Sequence, residues 1–207
     1  MTCDLIHSKK VHERFKVQQE LKNAVNVVNE RYSKQILCPF TTVWGDSFQG
    51  ALKSLDGFYQ ILDTFEQLIS TEFRCGVGLG EISTEFSPNT LEMDGVAFHR
   101  SQDALSIAKK ERVYAWIQSG NINFDKIVNT LLTLLYAVKS RWNAHQWEII
   151  RLRQEGLTLE EIGNKKGISK QAVSKILKYT RSKAVFFAIE TLNDLTNIFF
   201  EHFEDDL

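Results

Sequence analysis

The sequence predicts an α+β domain followed by an all-α domain, and three observations carry that expectation. Strand-like and helix-like stretches alternate through residues 1–120 around one hairpin signal, "TTVWGDSFQGAL" at 41–52. A basic block at 145–183 reads as two short helices about a glycine turn. Only two prolines occur, Pro39 and Pro88, and no Ser, Gly or Gln tract marks a flexible linker, so ordered structure joins the domains. At 207 residues, 43% hydrophobic and 25% charged, the chain has material for one sizeable core and a small module.

Taken in order, a short strand at 2–6 leads into a long helix at about 11–33. Thr41 to Trp44 are strong strand formers, Ser47 to Leu52 can return beside them, and Gly45 tolerates the positive φ of a tight two-residue loop. A helix at 55–70, a strand at 73–83, a helix at 96–110 and a strand at 113–117 complete the first part. Strands alternating with helices around one hairpin make an α+β sandwich with a ferredoxin-like plan, a palm of strands backed by helices. The reading divides the chain into a palm at 1–120, a connecting helix at 121–144, the two-helix block at 145–183 and an amphipathic helix at 184–207.

Several classes are excluded. "MTCDLIHSKK" lacks the apolar core of a signal peptide, and the longest apolar stretch, 131–138, is too short for a bilayer, so the expectation is a cytoplasmic protein with no membrane partner. Cys3, Cys38 and Cys75 are odd in number and far apart, which predicts buried, reduced thiols rather than disulfides or structural zinc. The five histidines show no paired ligand spacing.

The formal net charge of −1 conceals segregation. Residues 1–144 balance at 16 basic and 16 acidic, 145–183 carry nine Lys or Arg against four Glu, and 184–207 carry six acids and no Lys or Arg. The middle block is where a polyanion would be met. Within it, "LTLEEIGNKKGISKQAVSKILKYTR" offers Thr158 and Glu161 as a capping box, with Leu159 and Ile162 inward. Gly167 breaks the helix, Ile168 returns to the core, Ser169 caps a second helix, and Val173, Ile176 and Leu177 repeat at the spacing of a buried face. The opposite face presents Lys170, Gln171, Ser174, Lys175 and Lys178, with Tyr179 and Arg181 at its end, a set suited to base edges and phosphates of double-stranded DNA. A solvated helical hairpin is the alternative. Ser169 belongs to the same candidate DNA-binding set as the first residue of that turn.

Beyond it, Val185, Ile189, Leu192, Leu195, Phe199 and Phe203 fall on one side of a helix. That stripe has two candidate partners, the protein's own helix at 124–138 or the same helix of a second subunit. A homodimer would fit DNA half-sites.

Asp4 follows directly on the first strand, and Asp46 sits at the hairpin turn beside Gly45. If the strand pairs with the hairpin, the two carboxylates lie side by side and can hold Mg²⁺, which can grip a nucleotide triphosphate. A helix entered at Ser8, Lys9 and Lys10 would add main-chain N–H groups for phosphate oxygens. Gly76, Gly78 and Gly80 recur at period two and leave one strand face bare, for a ligand or for a helix of the same domain. Glu81 is read as a solvated acid.

The segments "CDLIHSKK", "WGDSFQG", "CGVGLGEIST", "DGVAFHRSQDAL" and "RWNAHQWEIIRLRQEG", with the two-helix block, resemble the SatD family of bacterial proteins over nearly the whole chain. The block also resembles the helix-turn-helix of bacterial regulators and of sigma-factor region 4, with Gly163 where such motifs usually carry Ala, a change expected to loosen the first helix by up to about 1 kcal/mol. More distantly, the first four segments resemble class III nucleotide cyclases and the related GGDEF palm. That resemblance implies Asp4 and Asp46 as the metal aspartates. Active cyclases carry an Asn and an Arg four residues apart where this chain has His99 and Asp103, so the resemblance implies lost transition-state electrostatics. Arg100 is the nearest replacement, about 100° away around the helix.

Three functional readings follow, in order. The first is a DNA-binding transcriptional regulator whose palm is degenerate or senses a nucleotide with Mg²⁺. Second comes an active metal-dependent nucleotidyl cyclase or nucleotidyltransferase. The third is a scaffold whose aspartates only shape turns.

Overall fold

A computed structural model of the chain describes residues 1–6, 14–43 and 45–203, the last three by main chain only. The fold is mixed α+β, and it divides into two compact units, Met1–Thr133 with the described residues from Asn193 on, and Leu134–Leu192. Helix residues 11–13 and Trp44 of the expected elements lie outside the described residues.

The first unit is built on β1 (Thr2–Leu5), α1 (Arg14–Arg31), β2 (Ile36–Val43), β3 (Ser47–Leu52), α2 (Phe58–Leu68), β4 (Phe73–Gly78), α3 (Val96–Glu111) and β5 (Ala115–Gln118). Its sheet has the order β2-β3-β1-β4-β5, antiparallel except for β4 and β5. β1 therefore lies between the hairpin and β4, which is the pairing the aspartate argument needed. The hairpin starts earlier than expected, at Ile36, and Val43 pairs with Ser47, so three residues rather than two connect its strands. β2 can carry Pro39 because it is an edge strand whose register shifts there, and the Asn29 side chain satisfies Phe40 in both directions, donating to its carbonyl at 2.9 Å and accepting from its N–H at 2.8 Å. β4 ends at Gly78, short of the expected 83, because the chain leaves the ladder through Gly80 at φ 153°.

Alternation along β3 and β4 sends Phe48 and Phe73 into an aromatic core with Phe40, Phe65 and Tyr114. Phe48 and Phe65 are fully buried with ring centroids 4.6 Å apart, a tilted contact that adds to area burial. Burial pushes the Tyr114 hydroxyl well above its usual range, with the charges of Glu66 and Asp63 acting the same way, and it donates to the Leu62 carbonyl at 3.0 Å.

The second unit is made of helices among its described residues: the later part of α4 (Ile122–Lys139), α5 (Ala144–Gln154), α6 (Leu159–Lys166), α7 (Lys170–Tyr179) and the earlier part of α8 (Ser182–Phe203). Helix α5 is an addition to the expected elements, opened by a capping box between Asn143 and Gln146. Trp142 packs edge-on to Trp147 at 4.9 Å and donates from Nε1 to the Thr180 carbonyl at 3.0 Å, fastening the residue after α7.

The boundaries expected at 120, 144 and 183 do not coincide with these units. The chain passes from one unit to the other inside α4 and α8, because neither helix contains a Gly or Pro and each keeps an apolar stripe throughout. On α4 the buried stripe is Phe124, Val128, Leu132 and Leu135. On α8 Val185 and Leu192 are buried, while Ile189, Leu195 and Phe199 are half-buried. Within the first unit the Phe199 ring stacks on Phe124 at 3.7 Å, so at that end the intramolecular partner is the one seen. The Phe203 side chain lies outside the described residues.

Candidate functional site

In the second unit, α6 and α7 are fixed at both ends by local chemistry. Both arms of the Thr158–Glu161 capping box are present, and the hydrogen bonds from Thr158 hold the Glu161 carboxyl below its usual range. Gly167 ends α6 at φ 67°, a left-handed conformation glycine adopts without strain, and the Ser169 hydroxyl accepts from the Ala172 N–H at 3.1 Å to start α7. Ile149, Leu152, Ile162 and Val173 form the buried core, with Leu157, Leu159, Ile168, Ile176 and Leu177 packed against it. Gly163 has a packing reason that local propensity does not contain. A Cβ there would come within 2.7 Å of the Ile168 carbonyl, so the glycine lets the turn close on α6 instead of merely loosening it.

With that face buried, α7 turns its other face outward. Lys170, Gln171, Lys175 and Lys178 are exposed and Ser174 is half-buried, and these five line one surface groove together with Leu159. Their spacing puts them on one side of a helix. Among the described residues no carboxylate pairs with Lys170, Lys175 or Lys178, whereas Lys166 of the same basic block is neutralised by Glu148 at 2.5 Å. Two expected residues stand apart. Ser169 spends its hydroxyl on the cap, and Arg181, exposed at φ 56° in the turn after α7, does not line the groove. Tyr179 is 77% exposed.

In the first unit the main chain of Asp46 lies next to the strand of Asp4. Asp4 pairs with Ser47 on β3, and the next residue, Leu5, donates its N–H to the Asp46 carbonyl at 2.9 Å. One Asp4 oxygen accepts from the Ser47 hydroxyl at 2.7 Å and the other lies 2.5 Å from the Lys109 ammonium of α3. Lys109 was missed by the sequence reading; its only signal is its place in the last turn of α3 beside Lys110. Gly45 takes the positive φ expected of it, at 80°. Ser8, Lys9 and Lys10 lie outside the described residues.

Residues given the other half of that site are elsewhere. β4 runs from Phe73, beside Leu5, past Gly76, beside Thr2, so Gly78 and Gly80 lie beyond the opposite end of β1 from Asp4. A Cβ on Gly76 would fall on the main chain of Ser101 and Leu105, and one on Gly78 on that of Ala97 and Ser101. The bare strand face expected to receive a ligand or a helix therefore receives α3, which corrects the ligand assignment of Gly76. Gly78 and Gly80 also border an apolar cavity of about 300 Å³ walled by Val77, Leu79, Ile82, Phe86 and Phe98, where a ligand would meet their main chain only. His99 lies 3.2 Å from Asp94 at the surface, and Asp103 and Glu81 are exposed. Arg100 is not a spare cation: its Nη1 donates to the carbonyls of Leu79 at 2.7 Å and Ser119 at 2.8 Å, clamping the ends of β4 and β5.

Two carboxylates are as many as Mg²⁺ usually takes from protein when phosphates and waters supply the rest of its octahedron. On Asp4 an ion would share the carboxylate with the Ser47 hydroxyl and the Lys109 ammonium, each of which occupies one of its oxygens. Among the described residues no group of three or more His, Cys, Asp or Glu could hold a metal.

Sheet and helices thus define a mixed α+β protein, and among the described residues no helix is long and apolar enough to cross a membrane. The family model of the SatD family matches residues 1–195, and the chain belongs to that family. No curated protein and no solved structure was found to match it.

Proposed function

We propose that the protein is a DNA-binding transcriptional regulator, in which α6 and α7 act as a helix-turn-helix and the ferredoxin-like first unit is a cyclase-like palm without cyclase activity. The observation that carries this reading is the groove on α7, where Lys170, Gln171, Ser174, Lys175 and Lys178 converge and, among the described residues, no carboxylate pairs with the three lysines. Gln171 and Ser174, near the start of the helix, suit base edges; the lysines suit phosphates on either side. For the palm, the absence of Asn and Arg at 99 and 103 and the clamped Arg100 leave developing charge on a phosphoryl group without the donors such chemistry relies on.

The direct test is titration of a labelled random-sequence duplex with the full-length protein across a salt series. Binding whose log K falls linearly with log salt is the expected result, with a slope near −0.9 for each phosphate neutralised. No binding at low salt, or a slope near zero, removes the reading.

A nucleotide-sensing palm is the second reading, favoured by Asp4, Asp46 and the half-exposed Lys109 at one place. There Asp4 and Asp46 would hold Mg²⁺ and Lys109 would turn to the phosphates. Nucleoside triphosphate with Mg²⁺ is then expected to raise the melting temperature by mass action, by about 2.7 kcal/mol of stabilisation at a hundredfold excess over Kd, and Asp46→Ala to abolish the rise. A rise that survives Asp46→Ala places the ligand elsewhere. Pyrophosphate release lost in the same variant would instead make the protein an active cyclase or nucleotidyltransferase.

A further inference from the structure

Cys3 and Cys75 are 72 residues apart in the chain and directly opposite each other in the sheet. The ladder between β1 and β4 fixes what kind of pair they are. Ile6 donates its N–H to the Glu72 carbonyl at 2.7 Å, whereas Cys75 sends its N–H the other way, to the Tyr114 carbonyl at 3.0 Å. Alternation along an antiparallel ladder then makes Asp4 and Arg74 a hydrogen-bonded pair and Cys3 and Cys75 a non-hydrogen-bonded one, the class in which side chains approach most closely. Both side chains are fully buried, and their sulfurs are 2.8 Å apart. Cys38 sits on β2, separated from β1 by β3, and its thiol donates to the Ser87 carbonyl at 3.1 Å.

We propose that Cys3 and Cys75 are a redox-modification site, a cross-strand dithiol that closes to a disulfide in hydrogen peroxide and fastens β1, the strand of Asp4, to β4. The inference stands apart from the DNA-binding reading. In the first step the sulfur of one cysteine, as thiolate, attacks a peroxide oxygen; the O–O bond breaks, a sulfenic acid forms, and the departing hydroxide takes up the thiol's proton as water. In the second step the other sulfur attacks the sulfenic sulfur, the S–O bond breaks, and a second water leaves. Two thiols and one peroxide give one disulfide and two waters, the sulfurs losing two electrons and the peroxide gaining them. The first step needs peroxide to reach sulfurs that are fully buried and is therefore slow. The second is intramolecular between adjacent sulfurs and outruns escape of the intermediate.

The experiment treats the reduced full-length protein with graded hydrogen peroxide at neutral and mildly alkaline pH, then unfolds it in the presence of an alkylating agent. Expected is a fall from three alkylated thiols to one, the loss of two hydrogens by mass, and a proteolytic peptide pair joining Cys3 to Cys75 with Cys38 alkylated. Closing a loop of 72 residues should also raise the melting temperature by on the order of 10 °C, reversibly with dithiothreitol. Cys75→Ser should keep both remaining thiols; if that variant does not fold, the peptide map of the unaltered protein decides alone. Persistence of three thiols overturns the proposal, as does sulfinic acid without a link, or a link through Cys38 or to a second chain.

Discussion

Replacing Lys170 and Lys175 together by alanine is expected to weaken duplex DNA binding roughly 60-fold at about 0.1 M salt and to make the slope of log K against log salt shallower by about 1.8, the value for two phosphate contacts that each release about 0.9 counterion. Both side chains are exposed on α7, and among the described residues neither pairs with a carboxylate, so the fold has no reason to suffer. That separates the result from a stability effect: circular dichroism and melting temperature should stay at the parent values while the binding curve moves. Lys166→Ala is the contrasting variant, because its ammonium already serves Glu148 at 2.5 Å and offers a polyanion little. Fluorescence anisotropy over a salt series reads both quantities. An unchanged slope in the double variant would move any DNA contact away from α7.

Gly76→Val is expected to cost the first unit more than about 3 kcal/mol, enough to prevent the protein from accumulating in folded form. The added carbons would land on the Ser101 carbonyl and the Leu105 N–H of α3, main-chain atoms that move only if the helix leaves the sheet. Flexible side chains can yield to an added methyl group; a helix main chain hydrogen-bonded within itself cannot do so cheaply. Gly156→Ala is the control. That glycine has a left-handed φ of 92° but open space around it, so its change should cost only the backbone strain of about 1–2 kcal/mol. Urea unfolding followed by far-ultraviolet circular dichroism ranks the two, and a Gly76→Val protein within 1 kcal/mol of the parent would refute the close approach of α3.

Reading of the chain succeeded best where chemistry is local. Caps and breakers act within four residues, so Thr158, Glu161, Gly167 and Ser169 could be assigned roles from their spacing, and each takes that role. Spacing along a single helix likewise placed Lys170, Gln171, Ser174, Lys175 and Lys178 on one face opposite Val173. The same locality explains a failure. Gly163 was weighed by helix propensity alone, and its reason is the Ile168 carbonyl arriving from the turn.

Long-range pairing was legible only in part. That Asp4 and Asp46 share one end of the sheet followed once β1 was assumed to join the hairpin, an assumption composition cannot supply. Lys109 reaches Asp4 from 105 residues away, and a lysine in a helix's last turn looks the same in sequence whether it faces water or a carboxylate. The period-two glycines announced a close approach without saying by what; the register of α3 on β4 decided it.

The sequence by itself determined the periodicities, the caps and turns, and the segregation of charge into residues 145–183, because these depend on neighbours along the chain. Tertiary structure alone decided that Arg100 is spent on the carbonyls of Leu79 and Ser119, that α4 and α8 run on through the division between units, and that Cys3 faces Cys75. Those are contacts between segments brought together by burial of apolar faces, and burial specifies which faces meet while leaving no mark on the residues in between.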